Sequence, residues 1–471
     1  MCRLFAATPS DVTHQRQRAE HSYAQAHQNP AATDCSTDIP SLHRFPQNIE
    51  QSFAIGMLYS AGTQNSQCYE NRPGPQENKR TQCYSPTNEE PQMDKLLHDL
   101  ARSNRKPIAI LLGAGASATF GYPVTRQLML NIFRRLQSSK NGDRKALYDF
   151  LCELLPGERL SKERMPLVTG VLSLLDHALS TGQSLLPKRT MEQTRHVRQL
   201  LEQELVESIP DWEDFGPEEE SSFDNYCGWL SRLLETRPTG GMALITTNYD
   251  MIADLAALTV AGVKGGYGNW NIKDMGKLVD FGFRWVLPDR NKEIQVQRPV
   301  RPRISLLKLH GSTNWLRCPL CENIYVHPNA PIASVAFVRK TTPANTCHCS
   351  ATRLEPQIVS PSFVRQMRDP NLIAVWKDAL DFLRKSDHWV MIGYGFPDED
   401  VAVRALFARA FSSRDEQPHI SVVQLDKAAE VNYESFFKNE SFTYLTGGLN
   451  LLLSRWEKIN ALRRRRRPRA R

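Results

Sequence analysis

The chain has 471 residues, 41% of them hydrophobic and 23% charged, which is ample for one large core and gives a prior of two to three domains. No apolar stretch reaches the ~18 residues of a membrane span, and the first twenty residues lack the apolar centre of a signal peptide, so the cytoplasm is the default compartment and a membrane partner is set aside. The formal net charge of +8 owes seven positive charges to Arg463–Arg467, Arg469 and Arg471, a tail expected to be solvated and disordered, with weak nucleic-acid contact as the alternative.

Residues 1–93 are rich in Gln, Asn, Ser, Thr and Pro without a sustained apolar period and are read as a polar, disordered N-terminal segment. From Lys106 the texture changes. Ile108-Ala109-Ile110-Leu111-Leu112 is a continuous apolar run that ends at glycine, the pattern of a buried parallel strand. Pro123 sits where a first helical turn tolerates proline, and Leu128, Leu130, Ile132, Phe133 and Leu136 supply the apolar face of the following helix. Residues 144–236 read as a helical insertion, from Leu147, Phe150 and Leu151 through Val197 and Leu201 to Trp229 and Leu233; Glu218–Glu220 within it are expected to be a solvated loop. Short apolar runs then return at Ala243–Thr246, Ile304–Leu307, Trp389–Ile392 and Ile420–Val423. Alternating strands and helices give the expected fold class: α/β, a doubly wound, Rossmann-like parallel sheet with a helical insertion and a small zinc-binding module.

Ligands in such a sheet gather outside the carboxyl ends of the strands, where four segments carry chemistry. Gly113-Ala114-Gly115-Ala116-Ser117 follows the first strand; its glycines allow close backbone approach, and a helix start behind them favours a diphosphate. The same segment satisfies the loose GxGxxA fingerprint of dehydrogenases, but no Asp or Glu occurs from Ala101 to Gly142 to hold an adenosine ribose, which disfavours that class. Thr246-Thr247-Asn248-Tyr249-Asp250 offers an amide and a carboxylate suited to ribose hydroxyls and a carboxamide, or simply a helix cap. Lys308-Leu309-His310-Gly311-Ser312 places an imidazole at the same edge, able to take a hydroxyl proton near neutral pH. Finally, Cys318, Cys321, Cys347 and Cys349 form two pairs with a spacing suited to a closed, structural, tetrahedral zinc site, with His348 as the alternative to one thiolate.

Taken in this order, the four segments resemble the sirtuin family. The likeness extends from about Lys106 to about Leu425 and includes Leu354–Phe363 and Ile392-Gly393-Tyr394-Gly395-Phe396 with Asp398 and Asp400, which look like the bacterial sirtuin-like branch. The resemblance implies that Gly113, Ala114, Gly115 and Ser117 line the diphosphate of NAD as cosubstrate, and that Asn248 and Asp250 hold the nicotinamide ribose. It further implies that His310 is the base, that Gly393 and Asp426 contact the cofactor, and that zinc is structural. Residues 94–440 would be the catalytic domain, with the insertion at 144–236 and the zinc module at 316–352, followed by a C-terminal helix and arginine tail at 441–471.

Three departures bear on the product. Pro123 is followed by Val124-Thr125-Arg126 where deacylating sirtuins carry Pro-Asp-Phe-Arg, Thr247 replaces the usual Gln, and Ser360-Pro361-Ser362-Phe363 stands where a Phe-Gly-Glu element would hold acyl-lysine. These favour hydrolysis of NAD over deacylation; sirtuin-like proteins of this branch are similar to NAD-depleting effectors of bacterial antiviral defence, a likeness that implies a protein activator as a partner. Deacylation of an acylated protein is the alternative. A non-catalytic module that senses NAD or ADP-ribose is the alternative from another class.

Overall fold

The computed structural model describes residues 89–102, 106–155, 165–212, 216–266, 269–287, 294–337, 345–349, 352–359, 369–437 and 442–466. The expected N-terminal segment therefore lies outside the described residues up to position 88. Its last five residues do not behave as read, because a helix Glu89–Arg102 already begins there and buries Met93, Leu96, Leu97 and Leu100. Those four positions recur at intervals of three and four, which puts them on one helical face.

The first sheet is built from β1 (Ile108–Leu112), β2 (Met242–Thr246), β3 (Val279–Asp280), β6 (Ile304–Lys308), β10 (His388–Ile392), β11 (His419–Val423) and β12 (Phe442–Leu445). Among the described residues its order is β12-β11-β10-β1-β2-β6-β3, and every pairing is parallel. The expected doubly wound, Rossmann-like sheet is thus present, flanked by helices. β1, β2 and β6 are buried at all five positions and β11 at four, which explains why their sequences are mainly apolar and do not alternate: strands covered on both faces have no solvent side to alternate with. From β1 the chain first builds outward through β2, and only later returns to the other side of β1 with β10. The carboxyl ends of β1 and β10 therefore flank the topological switch point, where such sheets open a crevice.

A second sheet, in the order β5-β4-β8-β7-β9, joins β4 (Trp285–Leu287), β5 (Ile294–Val296), β7 (Gly311–Arg317), β8 (Ile324–Val326) and β9 (Glu355–Ile358). It carries the four cysteines but draws strands from residues 285–358, a wider span than the expected 316–352. Strands of three residues such as β4, β5 and β8 are too short to show a period, which is why they escape a reading by pattern.

The helical stretch divides in two. Leu128, Ile132, Leu147, Phe150, Leu151, Val171, Leu172, Leu175, Val197 and Leu201 form a core of their own, contributed by the helices Thr125–Ser138, Gly142–Leu154, Val168–Thr181 and Met191–Glu207. At roughly 1.5–3 kcal/mol for each fully buried large apolar side chain, this cluster is a substantial packing unit. Two of its helices start at side-chain caps: Asn141 Oδ1 accepts from the Asp143 and Arg144 amides at 2.8 and 3.2 Å, and Thr190 and Gln193 form a reciprocal capping box. The helix Pro217–Glu235, by contrast, packs Phe223, Tyr226, Trp229 and Leu230 into the main core. Glu218–Glu220 are not a loop but its first turn, where the helix dipole favours acidic side chains. Pro123 lies just outside its helix, which begins at Thr125.

The C-terminal helix Gly448–Arg466 runs through the first four residues of the arginine run, correcting the expectation that the disordered tail starts at Arg463. It packs against the helix Glu89–Arg102: Arg455 Nε donates to Asp94 at 2.8 Å and also pairs with Glu90. No helix among the described residues is long and apolar enough to cross a membrane.

Candidate functional site

At the carboxyl end of β1 the chain turns through Gly113 into the short helix Ala114–Ser117. The turn is packed against the loop after β10. The amides of Gly113 and Gly115 donate to the carbonyls of Ile392 and Gly393 at 2.9 and 2.8 Å. Gly393 has φ +62°, and a Cβ there would lie 2.0 Å from the Ala116 nitrogen, so both its backbone conformation and its neighbour demand glycine. The Ala116 amide donates to the Gly113 carbonyl. Three amides of the turn expected to cradle a diphosphate are thus occupied by main-chain partners, and the glycines serve first to let two loops touch.

β2 delivers the second segment. Thr246 Oγ1 donates to the Leu112 carbonyl at 2.9 Å and accepts from the Asn248 amide at 3.0 Å, which bends the chain back toward the glycine turn. Asn248 Nδ2 then donates to the Gly113 carbonyl and to Ser117 Oγ, both at 2.9 Å. Ser117 is buried and also hydrogen-bonds to the Asp250 carboxylate, while Asp250 Oδ1 accepts from the Ile252 amide at 3.0 Å. Burial pushes the Asp250 carboxyl above the ordinary range, opposed by the positive charge of Lys308 and by these hydrogen bonds.

His310 stands at the junction of the two sheets, between β6 and β7. Gly311 makes that junction possible: with φ +78°, a Cβ there would lie 1.9 Å from the Gln357 carbonyl oxygen. The imidazole is buried, with Nε2 3.9 Å from Asp400 Oδ1 and the rings of Tyr249 and Trp376 each 6.3 Å away. Asp400 accepts from the Tyr394 hydroxyl at 2.8 Å, and the Tyr394 backbone is what a Cβ on Gly113 would strike. The contacts close a ring around the switch point: Gly113, Asn248, Tyr249, His310, Asp400, Tyr394 and back to Gly113. Ser117 and Asp250 join it through Asn248. Ala114 opens the short helix on the same turn, and Gly393 lies beneath it. Asp426 stands apart, exposed after β11, where its carboxylate caps the Ala428 amide at 2.8 Å. The stretch Ser360–Phe363 lies outside the described residues.

Sequence reading missed the partners that fix these groups: Lys308, Tyr394 as the donor to Asp400, and Trp376, whose Nε1 donates to the Leu309 carbonyl at 2.8 Å. A signal for Lys308 was present. It is a lone charge ending the apolar run Ile304–Leu307, as Asp254 is in the apolar helix Ile252–Ala261.

Two cavities, of about 580 and 450 Å³, lie away from this ring, the first beside Asp280 and Arg298 and the second between the helix Ile272–Leu278 and β5. The first is bordered by Arg298, whose guanidinium is already committed to Asp280 at 2.8 Å and Asp378 at 2.5 Å. Size alone therefore does not point to the chemistry, whereas the ring gathers an amide, a carboxylate, a hydroxyl and an imidazole.

The four cysteines meet at one end of the second sheet. Sγ of Cys318 lies 3.7 Å from Cys349 and that of Cys321 lies 3.5 Å from Cys347, all four within 4.8 Å of one another. A tetrahedron with Zn–S bonds of about 2.3 Å has sulfurs about 3.8 Å apart, so the set fits zinc. The amides of Cys321 and Cys349 point to Cys318 and Cys347 at 3.4 and 3.5 Å, and Tyr325 donates to Cys347 at 3.2 Å, bonds that favour thiolate. His348 stacks on Tyr325 with ring centroids 6.5 Å apart and is outside the cluster, which leaves Cys349 as the fourth donor. Burial pushes the Cys347 thiol up to about 12, a cost that a bound cation offsets.

No family model matches the chain, and no curated protein matches it. Among solved structures it is similar to a Sir2 enzyme from work on the mechanism and regulation of these enzymes, at 14% identity and a TM-score of 0.39, covering 79% of this chain and 99% of that one. It is also similar to a Sir2 homolog–NAD complex, at 14% identity and a TM-score of 0.35 over 78% and 94% of the two chains. A third is a Sir2–p53 peptide–NAD+ complex, at 12% identity and a TM-score of 0.32 over 78% and 98%.

Proposed function

We propose that this protein consumes NAD by cleaving the bond between nicotinamide and ribose, with water as the acceptor, to give nicotinamide and ADP-ribose. The observation that carries the reading is the closed ring of Gly113, Asn248, His310 and Asp400 at the switch point of the sheet. NAD supplies a leaving group whose departure develops positive charge on the ribose, so the protein's part is to position that ribose and to handle one proton. Asn248 and Asp250 offer the amide and carboxylate for ribose hydroxyls, Ser117 orients both, and His310 accepts the hydroxyl proton with Asp400 beside it to favour the imidazolium. Gly393 and Asp426 belong to this reading as further cofactor contacts.

Water is favoured over a peptide because the sequence departs from the deacylating pattern at Val124-Thr125-Arg126, at Thr247 and at Ser360–Phe363. A role as an NAD-depleting effector of antiviral defence, under a protein activator, is the setting that this chemistry suggests. The test is to incubate the protein with NAD alone and with an added acyl-lysine peptide, following nicotinamide, ADP-ribose and the acyl group. Equal release of nicotinamide in both supports hydrolysis; release only with the peptide, together with transfer of its acyl group, makes the protein a deacylase and sinks the hydrolase reading.

A further inference from the structure

Lys308 is fully buried, which is costly for an ammonium in a fold of marginal stability. Its Nζ donates to the main-chain carbonyl of Asp250 and to Asp254 Oδ2, each at 2.5 Å. Asp254 is buried as well, and its other oxygen accepts from Asn314 Nδ2 at 3.2 Å. Lys308 and Asn314 stand on either side of His310 in sequence. Between them, the Thr313 amide and hydroxyl donate to the Tyr249 carbonyl at 2.9 and 3.1 Å, and Ser312 Oγ donates to it at 3.3 Å. The segment that carries His310 thus grips the Tyr249 and Asp250 carbonyls through four hydrogen bonds and Asp254, on the helix that follows them, through two more; three of the six involve a charged group, and Lys308 supplies two of those. An apolar side chain of the same length would fill the space and avoid the desolvation, but it could not hold a carbonyl.

We infer that Lys308 is a positioning residue, whose buried ammonium sets the Asn248–Asp250 loop against His310 and so fixes the distance between the two halves of the site. The inference rests on the NAD-cleaving reading for its catalytic consequence and on the six contacts for its structural one. Removing the cation alone leaves Asp254 as an uncompensated buried charge, so Lys308→Met is destabilised; removing both charges in Lys308→Met/Asp254→Leu returns stability toward the parent.

The experiment compares parent and double variant in the full chain, with kcat expressed per folded molecule. The expected result is that kcat for nicotinamide release falls about tenfold or more while KM for NAD changes less than about threefold, because a small misplacement of reacting groups acts on the chemical step. Hydrogen exchange of the amides over 247–251 is expected to quicken by about tenfold or more in the same variant. Parent values for both kcat and exchange in a folded double variant overturn the proposal and leave an ordinary ion pair. If the double variant does not fold, Lys308→Arg keeps the charge pair but not the compact ammonium geometry; reduced kcat then supports the proposal and parent kcat overturns it. A parent that releases no nicotinamide defeats the functional reading instead, and the exchange measurement alone then decides the clasp.

Discussion

Asp250 concentrates the conflict between folding and chemistry in one carboxylate. Burial is the largest influence on it and raises its pKa, so the folded state disfavours its ionised form. The sign follows: the stability it contributes is fully present below its unfolded value and is lost as pH rises through the raised folded value. Asp250→Asn, which keeps an acceptor for the Ile252 amide, is therefore expected to melt a few degrees higher than the parent at pH 7, with the gap closing in acid, while NAD turnover drops. Thermal melts from pH 4 to 8 check this; a variant less stable at pH 7 would show that Lys308 outweighs burial. His388 works in the opposite direction. Burial, then the neighbouring His419 and Arg237, lower it to about 4, and its Nε2 lies 2.9 Å from Ser421 Oγ. Its stabilisation is present above the unfolded value of about 6.5 and is lost as pH falls through about 4. His388→Gln should flatten the acid limb of the melting profile over that window, and an unchanged limb would assign it to other groups.

Loops and small modules carry the consequences at the scale of elements. The glycine turn after β1 was legible from its sequence, but the partner that requires those glycines was not, because contact between Gly393 and Ala116 joins residues almost three hundred positions apart. Gly393→Ala is expected to cost about 2–4 kcal/mol, from the φ of +62° and the 2.0 Å clash together, and a denaturant midpoint within error of the parent would contradict the packing described. In the cysteine module the spacing gave the two pairs, CxxC and CxC, but left His348 open as the alternative to one thiolate. The stacking of His348 on Tyr325 could not be read from spacing; it keeps the imidazole out of the four-sulfur cluster and favours Cys349 as the fourth donor. Purified protein should contain about one zinc per chain, and Cys347→Ser should lose most of it along with several kcal/mol of stability; metal analysis and melting with a chelator provide the check.

The parallel sheet of the whole molecule was the most legible part, because five buried strands each leave a short, predominantly apolar run, broken by a single serine at Ser305 and at Ser421. Its edges were not: β3 has two residues and so no pattern, and the clasp of the first and last described helices depends on Arg455 meeting Glu90 and Asp94 across most of the chain. A truncation that starts at Glu89 is thus expected to keep the fold, whereas one that removes residues 1–102 should lose soluble protein by stripping Met93, Leu96, Leu97 and Leu100 from the core. The candidate site was legible as residue types at strand ends, and the ring that joins them came only from the topology that returns β10 beside β1. Whether that ring cleaves NAD is tested most directly by incubating NAD with the purified protein and with Asn248→Ala and His310→Ala, and measuring nicotinamide and ADP-ribose. Equimolar release of both products by the parent, reduced at least a hundredfold by either substitution, is the predicted result; no release with or without an acyl-lysine peptide, or parent rates in both variants, would contradict it.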